Sequence, residues 1–109
     1  MNYTEEILHA ILIAVIVANF LLSTSCALKA IELCKESLVL LSNKALSVKK
    51  PVRQTYYGII YHTMFEAYCR VSDHTNAIAY GRELLNIYRE YGDAFREGML
   101  SIEIGRAHV

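Results

Sequence analysis

The sequence predicts an all-α chain of antiparallel helix hairpins, and three observations carry that prediction. Apolar residues recur at helical spacing from Ala27 to Tyr91, and no run alternates long enough to argue for a strand. A single proline and five glycines leave too little turn chemistry for an all-β chain. At 109 residues there is room for one small domain. An apolar share of 54% with 11 bases against 11 acids excludes a disordered tail, and zero net charge gives no support to a nucleic-acid binder that relies on a basic face.

The first element is an uncharged block. No Asp, Glu, Lys or Arg occurs from Ile7 to Leu28, and fourteen of the sixteen residues Ile7 to Leu22 are apolar. As a helix the strict run spans roughly 24 Å, and the block to Leu28 roughly 33 Å, enough to cross a hydrocarbon core of ~30 Å. Glu5 and Glu6 precede it, while Lys29, Lys35, Lys44, Lys49, Lys50 and Arg53 follow. A spanning helix would therefore leave everything after Lys29 in the cytosol and the sequon Asn2-Tyr3-Thr4 outside. Two acids and no base ahead of the block argue against a cleaved signal peptide. The competing expectation is a buried helix, apolar all round because it packs on two sides.

The second element runs from Ala27 to Leu41, with apolar residues at 27, 30, 31, 34, 38 and 41. Lys29, Glu32, Lys35 and Glu36 fall on its other face. Ser42-Asn43 ends this helix, and Ser47 to Pro51 reads as a solvated loop. Pro51 suits the first turn of a third helix, where its missing N–H is no loss. That helix runs to about Val71 with Tyr57, Ile60, Tyr61, Met64, Phe65 and Tyr68 on one stripe. Ser72 to Thr75 is a polar break in which Asp73 or Thr75 can cap the fourth helix. The fourth helix covers Asn76 to Tyr91, with Ala77, Ile78, Gly81, Leu84, Leu85 and Tyr88 inward. Gly92 suits a left-handed cap, and Asp93 opens a further helix.

An internal repeat links the second and fourth helices. Ala30-Ile31-Glu32-Leu33-Cys34-Lys35-Glu36-Ser37-Leu38 matches Ala77-Ile78-Ala79-Tyr80-Gly81-Arg82-Glu83-Leu84-Leu85 in its Ala, Ile, Glu and Leu places, with Lys35 against Arg82. Offsets of 40 to 50 residues between such helices point to stacked helix pairs. These residues resemble the tetratricopeptide family over about residues 27 to 103. Tyr61, Met64, Tyr68 and Ala77 meet the family's first aromatic, apolar, second aromatic and alanine places. Phe65, Gly81 and Leu84 depart from it, a large residue facing a glycine in a swap that conserves volume. Run backwards from Ala30, the template falls on Ala14, Val17, Ala18 and Leu21. The overall pattern is similar to the long tetratricopeptide arrays of invertebrate animals.

The resemblance implies a right-handed solenoid, packed through Ala30, Cys34, Tyr61, Met64, Phe65, Tyr68, Ala77, Gly81 and Leu84. It implies a partner-binding groove at Ile59, His62, Glu66, Cys69 and Arg70, and neighbouring repeats in a longer chain. His62, Glu66 and Arg70 also follow i, i+4, i+8, so they form one polar strip whatever the family, with Glu66 and Arg70 in the favourable order for an ion pair. The family's carboxylate grip needs a base and an asparagine where His62 and Glu66 stand, so no such clamp is expected.

No catalytic chemistry emerges. Ser72, Asp73 and His74 are triad residue types, but three consecutive residues cannot meet in triad geometry. His62 and Cys69 share a helix face without further ligands, which is too little for a metal. Cys26, Cys34 and Cys69 read as small buried groups in a reducing compartment. The expectation is a cytoplasmic interaction scaffold with no cofactor, binding protein or peptide partners and no nucleic acid. The alternative is a single-pass membrane protein anchored through Ile7–Leu28. Residues 1–28 form the hydrophobic helix and 29–103 the repeat region. Residues 104–109, Ile104-Gly105-Arg106-Ala107-His108-Val109, read as a translated sequencing adapter, with the natural chain continuing past Glu103.

Overall fold

The computed structural model describes residues 3–91. The expectations placed on Gly92, Asp93 and the last six residues lie outside them. Four α-helices follow in order: α1 Tyr3–Ser23, α2 Ala27–Leu41, α3 Lys50–Arg70 and α4 His74–Tyr91, with no strand among the described residues. Each helix packs on the next, and α1 also touches α3.

The uncharged block is not one helix. It breaks at Thr24–Cys26, where Ser25 takes a left-handed φ of 66°, and α2 begins at Ala27. Ser23 and Thr24 hydroxyls donate back to carbonyls of Phe20 and Leu21, which competes with helix continuation. The α1 helix that remains is 21 residues, roughly 31 Å long, and its most apolar window has a mean hydropathy of 2.2. By length and composition it is able to cross a bilayer. In this fold it buries one stripe, Ile11, Val15, Ala18 and Leu22. Of the four template positions, Ala18 is buried, Ala14 and Leu21 are half-buried, and Val17 is exposed.

Helix α2 buries Ala27, Ala30, Ile31, Cys34 and Leu41, with Leu38 half-buried, and its four charged residues all face solvent. Ser37 is the polar member of that face; its hydroxyl donates to the Leu33 carbonyl at 2.9 Å. The connector to α3 is not wholly solvated, since Leu46 is buried beneath it and Asn43 folds an Asx turn onto the Ala45 amide at 2.9 Å. Pro51 lies in the first turn of α3.

The third helix is enclosed on two sides, so its burial is broader than a single stripe. Gly58, Phe65 and Tyr68 are buried on one side and Ile60, Thr63, Met64 and Ala67 on the other. A Cβ on Gly58 would lie 3.7 Å from Leu84 Cδ1, which identifies the first side as the one facing α4. Across that interface Tyr80 stacks on Tyr68 with ring centroids 5.6 Å apart and meets Tyr61 in a tilted arrangement at 5.8 Å. Burial, together with the Glu83 carboxylate, raises the Tyr61 phenol above its ordinary range. Ala77, Gly81, Leu84, Leu85 and Ile87 bury the facing side of α4, whereas Ile78 and Tyr88 are only half-covered.

Two arginines of α3 fasten the helices before it. Arg53, in the first turn, donates to the Leu41 carbonyl at the end of α2 and to the Leu46 carbonyl at 3.0 Å. Arg70, in the last turn, donates to the Leu22 carbonyl near the end of α1 at 2.9 Å. Neither α1 nor α2 has a base in its own last turn. The guanidinium groups supply both the missing donor and the positive charge that a helix C-terminus favours.

The two hairpins share one turn, 47 residues apart. The amide of Cys26 donates to Leu21 at 2.7 Å and that of Asp73 to Tyr68 at 2.9 Å. Ser25 to Leu22 is matched by Ser72 to Cys69, and Ala30 to Cys26 by Ala77 to Asp73. Ser72 repeats the left-handed φ of Ser25, at 59°. Two serines in a conformation that costs an L-residue about 1 kcal/mol mark the same Schellman-type closure twice.

Candidate partner-binding face

Between the side of α3 that meets α4 and the side that meets α1 lies a narrow accessible strip. Ile59 is 37% exposed, His62 and Arg70 are exposed, and Glu66 and Cys69 are half-buried. These are the five residues singled out from the sequence, and the helix places all five on this strip. His62 Nε2 and Glu66 Oε1 stand 3.4 Å apart. Glu66 pairs with His62 rather than with Arg70, whose guanidinium is occupied by the Leu22 carbonyl. The order Glu66–Arg70 favoured a pair on an isolated helix, but α1 ends beside Arg70 and offers it the Leu22 carbonyl, which also accepts the Ser25 amide, instead.

One residue of this face was not legible as such. Asn19, exposed on α1, donates from Nδ2 to the Val15 carbonyl at 3.0 Å and to Thr63 Oγ1 at 3.3 Å. In the shared register it is the counterpart of Glu66. The only signal for it was its polarity inside an apolar run. Asn19 and Glu66 place an amide and a carboxylate at matching positions of the two adjacent helices, with exposed Ile59 and half-buried Leu12 also in register. An amide, a carboxylate and an imidazole beside apolar patches suit the hydrogen bonds and contacts of a polypeptide.

The cysteines divide by environment. Cys34 is fully buried, and burial pushes its thiol up to about 12. Cys69 is half-buried, while Cys26 is exposed in the turn, contrary to the expectation of three buried groups. It is exposed because the block breaks there. Asp73 takes the capping role: Oδ1 accepts from the Asn76 amide at 3.2 Å and Oδ2 from the Asn76 side chain at 2.7 Å. Those bonds, the side-chain one first, hold its carboxyl below the usual value. Among the described residues no three of His, Cys, Asp and Glu are grouped as metal ligands. An open depression beside the α1–α2 turn is lined by Ser25, Leu28, Lys29, Arg70 and Val71. No family model, curated protein or solved structure matches the chain.

Proposed function

We propose that this chain is a helical-repeat interaction scaffold of tetratricopeptide type, acting in the cytoplasm without a cofactor and binding partner peptides or helices along α1 and α3. The observation that carries the reading is the shared register. Two hairpins closed by the same hydrogen bonds 47 residues apart bring Asn19 and Glu66 to equivalent places on one face. Units that contact only their neighbours build extended surfaces of this kind. Selection of peptides from a random display library on the full chain tests the proposal. Enriched peptides should bind at least tenfold more weakly to a His62→Ala/Glu66→Ala variant. Peptides indifferent to both changes, or no enrichment, would count against it.

A second reading is favoured by α1 itself. Its length and hydropathy suit a single-pass anchor that holds the remaining helices at the cytosolic face of a membrane. Carbonate washing of membranes from cells expressing the tagged chain separates the two: an anchored chain stays in the pellet, a scaffold held by peripheral contacts is released.

A further inference from the structure

Four tyrosines of α3 and α4 form one ladder of ring contacts. Tyr57 stacks on Tyr61 with centroids 5.6 Å apart, Tyr61 meets Tyr80 at 5.8 Å, and Tyr80 stacks on Tyr68 at 5.6 Å. On α3 the spacing of residues 57, 61 and 68 puts them on one face, on the side of the helix away from Ile59, His62 and Glu66. Helices α2 and α4 both pack on α3, and the ladder joins them. Tyr57 Oη lies 2.9 Å from Ser42 Oγ, just past the end of α2, while Tyr61 and Tyr68 meet Tyr80 of α4. Tyr68 is buried at one end of this seam, and Tyr57, Tyr61 and Tyr80 are half-buried along it. Two exposed charges flank the rings, Glu83 from α4 and Lys35 from α2. Burial raises the phenols of Tyr61 and Tyr80; Glu83 adds to the rise at Tyr61, and Lys35 opposes it at Tyr80. Both hydroxyls are therefore protonated donors at neutral pH.

We infer that the tyrosine seam docks a proline-rich segment in the polyproline II conformation, with a base beside Glu83 and an acid beside Lys35. This is a second face, opposite the His62–Glu66 strip and independent of it. A polyproline II segment makes no internal hydrogen bonds, so its carbonyls accept from the Tyr61 and Tyr80 hydroxyls. It arrives already extended, so little ordering entropy is lost on docking. Such a segment rests on two of its three edges, and residues two apart advance about 6.2 Å. That step matches the 5.6 and 5.8 Å between successive rings. The opposite charges of Glu83 and Lys35 complement a segment with one base and one acid. A helix fits less well, because its carbonyls are spent within itself and leave the phenols without acceptors. A sugar needs free ring faces, and stacking of Tyr57 on Tyr61 and of Tyr68 on Tyr80 uses them, leaving edges and hydroxyls.

The test titrates the full 109-residue chain into a dye-labelled hexaproline peptide that carries arginine at one end and glutamate at the other, read by fluorescence anisotropy. Saturable binding is expected, about tenfold tighter than for a glycine–serine peptide with the same ends. Tyr61→Phe and Tyr80→Phe keep the rings and remove the hydroxyls, and each is expected to weaken binding about threefold or more. Glu83→Gln is expected to act in the same direction, and its effect should vanish when the peptide's arginine is replaced by alanine. Absence of saturable binding, equal binding of the glycine–serine peptide, or phenylalanine variants that bind like the parent overturns the inference. So does displacement of the peptide by cellohexaose, which would assign the seam to carbohydrate. The His62→Ala/Glu66→Ala variant should bind the proline peptide unchanged. Loss there would put the peptide on the opposite strip and overturn the seam, whereas failure of the strip proposal leaves these affinities untouched.

Discussion

Replacing Arg53 by Met removes the guanidinium and keeps most of the apolar stem, which isolates the two hydrogen bonds it makes. Those bonds run to the carbonyls of Leu41 and Leu46, joining the end of α2 and the connector to the first turn of α3. A hydrogen bond to a charged group contributes about 1.5–3 kcal/mol when buried, and a base at a helix C-terminus about 0.3–1 kcal/mol. Arg53 is only half-buried, so solvent screens both contributions and water recovers part of each carbonyl. The expected loss is about 2 kcal/mol. Arg53→Lys keeps the charge but not the fork that spans two carbonyls, and is expected to lose about half as much. Urea titration followed by circular dichroism at fixed salt measures both. If Arg53→Met unfolds within about 0.5 kcal/mol of the parent, within the range of an ordinary surface substitution, the reasoning fails.

Three further outcomes follow from the same contacts. Gly58→Ala is expected to raise stability by up to about 1 kcal/mol, because the added Cβ meets Leu84 and Ile87 at ordinary contact distance while helix propensity improves; a lowered melting temperature would show hidden crowding. Asp73 has a folded-state pKa below its unfolded value, so its stabilisation is complete above the ordinary carboxylate value and is lost as pH falls through the folded one; in Asp73→Ala the acid limb of the stability curve should be shallower, and an identical limb refutes the assignment. A thiol reagent should modify Cys26 first and Cys34 last, Cys34 being fully buried with its pKa raised to about 12; equal rates by mass spectrometry would mean that the α1–α2 hairpin opens freely.

The helices and their inward faces were largely legible because both are local. Apolar spacing placed α2 and the inner face of α4, and Pro51 marked the start of α3, since a helix declares its buried face every third or fourth residue. The all-α class follows directly. The break in the uncharged block was harder to read, because Ser23 to Cys26 carry neither glycine nor proline, and Ser25 adopts a glycine-like conformation without being one. The predicted strip at Ile59, His62, Glu66, Cys69 and Arg70 does share one face, as helical spacing requires. Asn19 joins it only through the packing of α1 beside α3.

The sequence by itself determined where this chain is helical and which residues prefer the inside, because those preferences act within a turn or two of helix. Only the tertiary structure decided what each side faces. It enclosed α3 between α1–α2 and α4, turned Arg53 and Arg70 to the ends of the preceding helices, and left Ile13, Ile16, Val17 and Phe20 of α1 exposed among the described residues. The reason is physical: an apolar stripe states a demand for burial, but whether it is met depends on a neighbour some tens of residues away. Among the described residues α3 has such a neighbour on both sides and α1 has one on a single side.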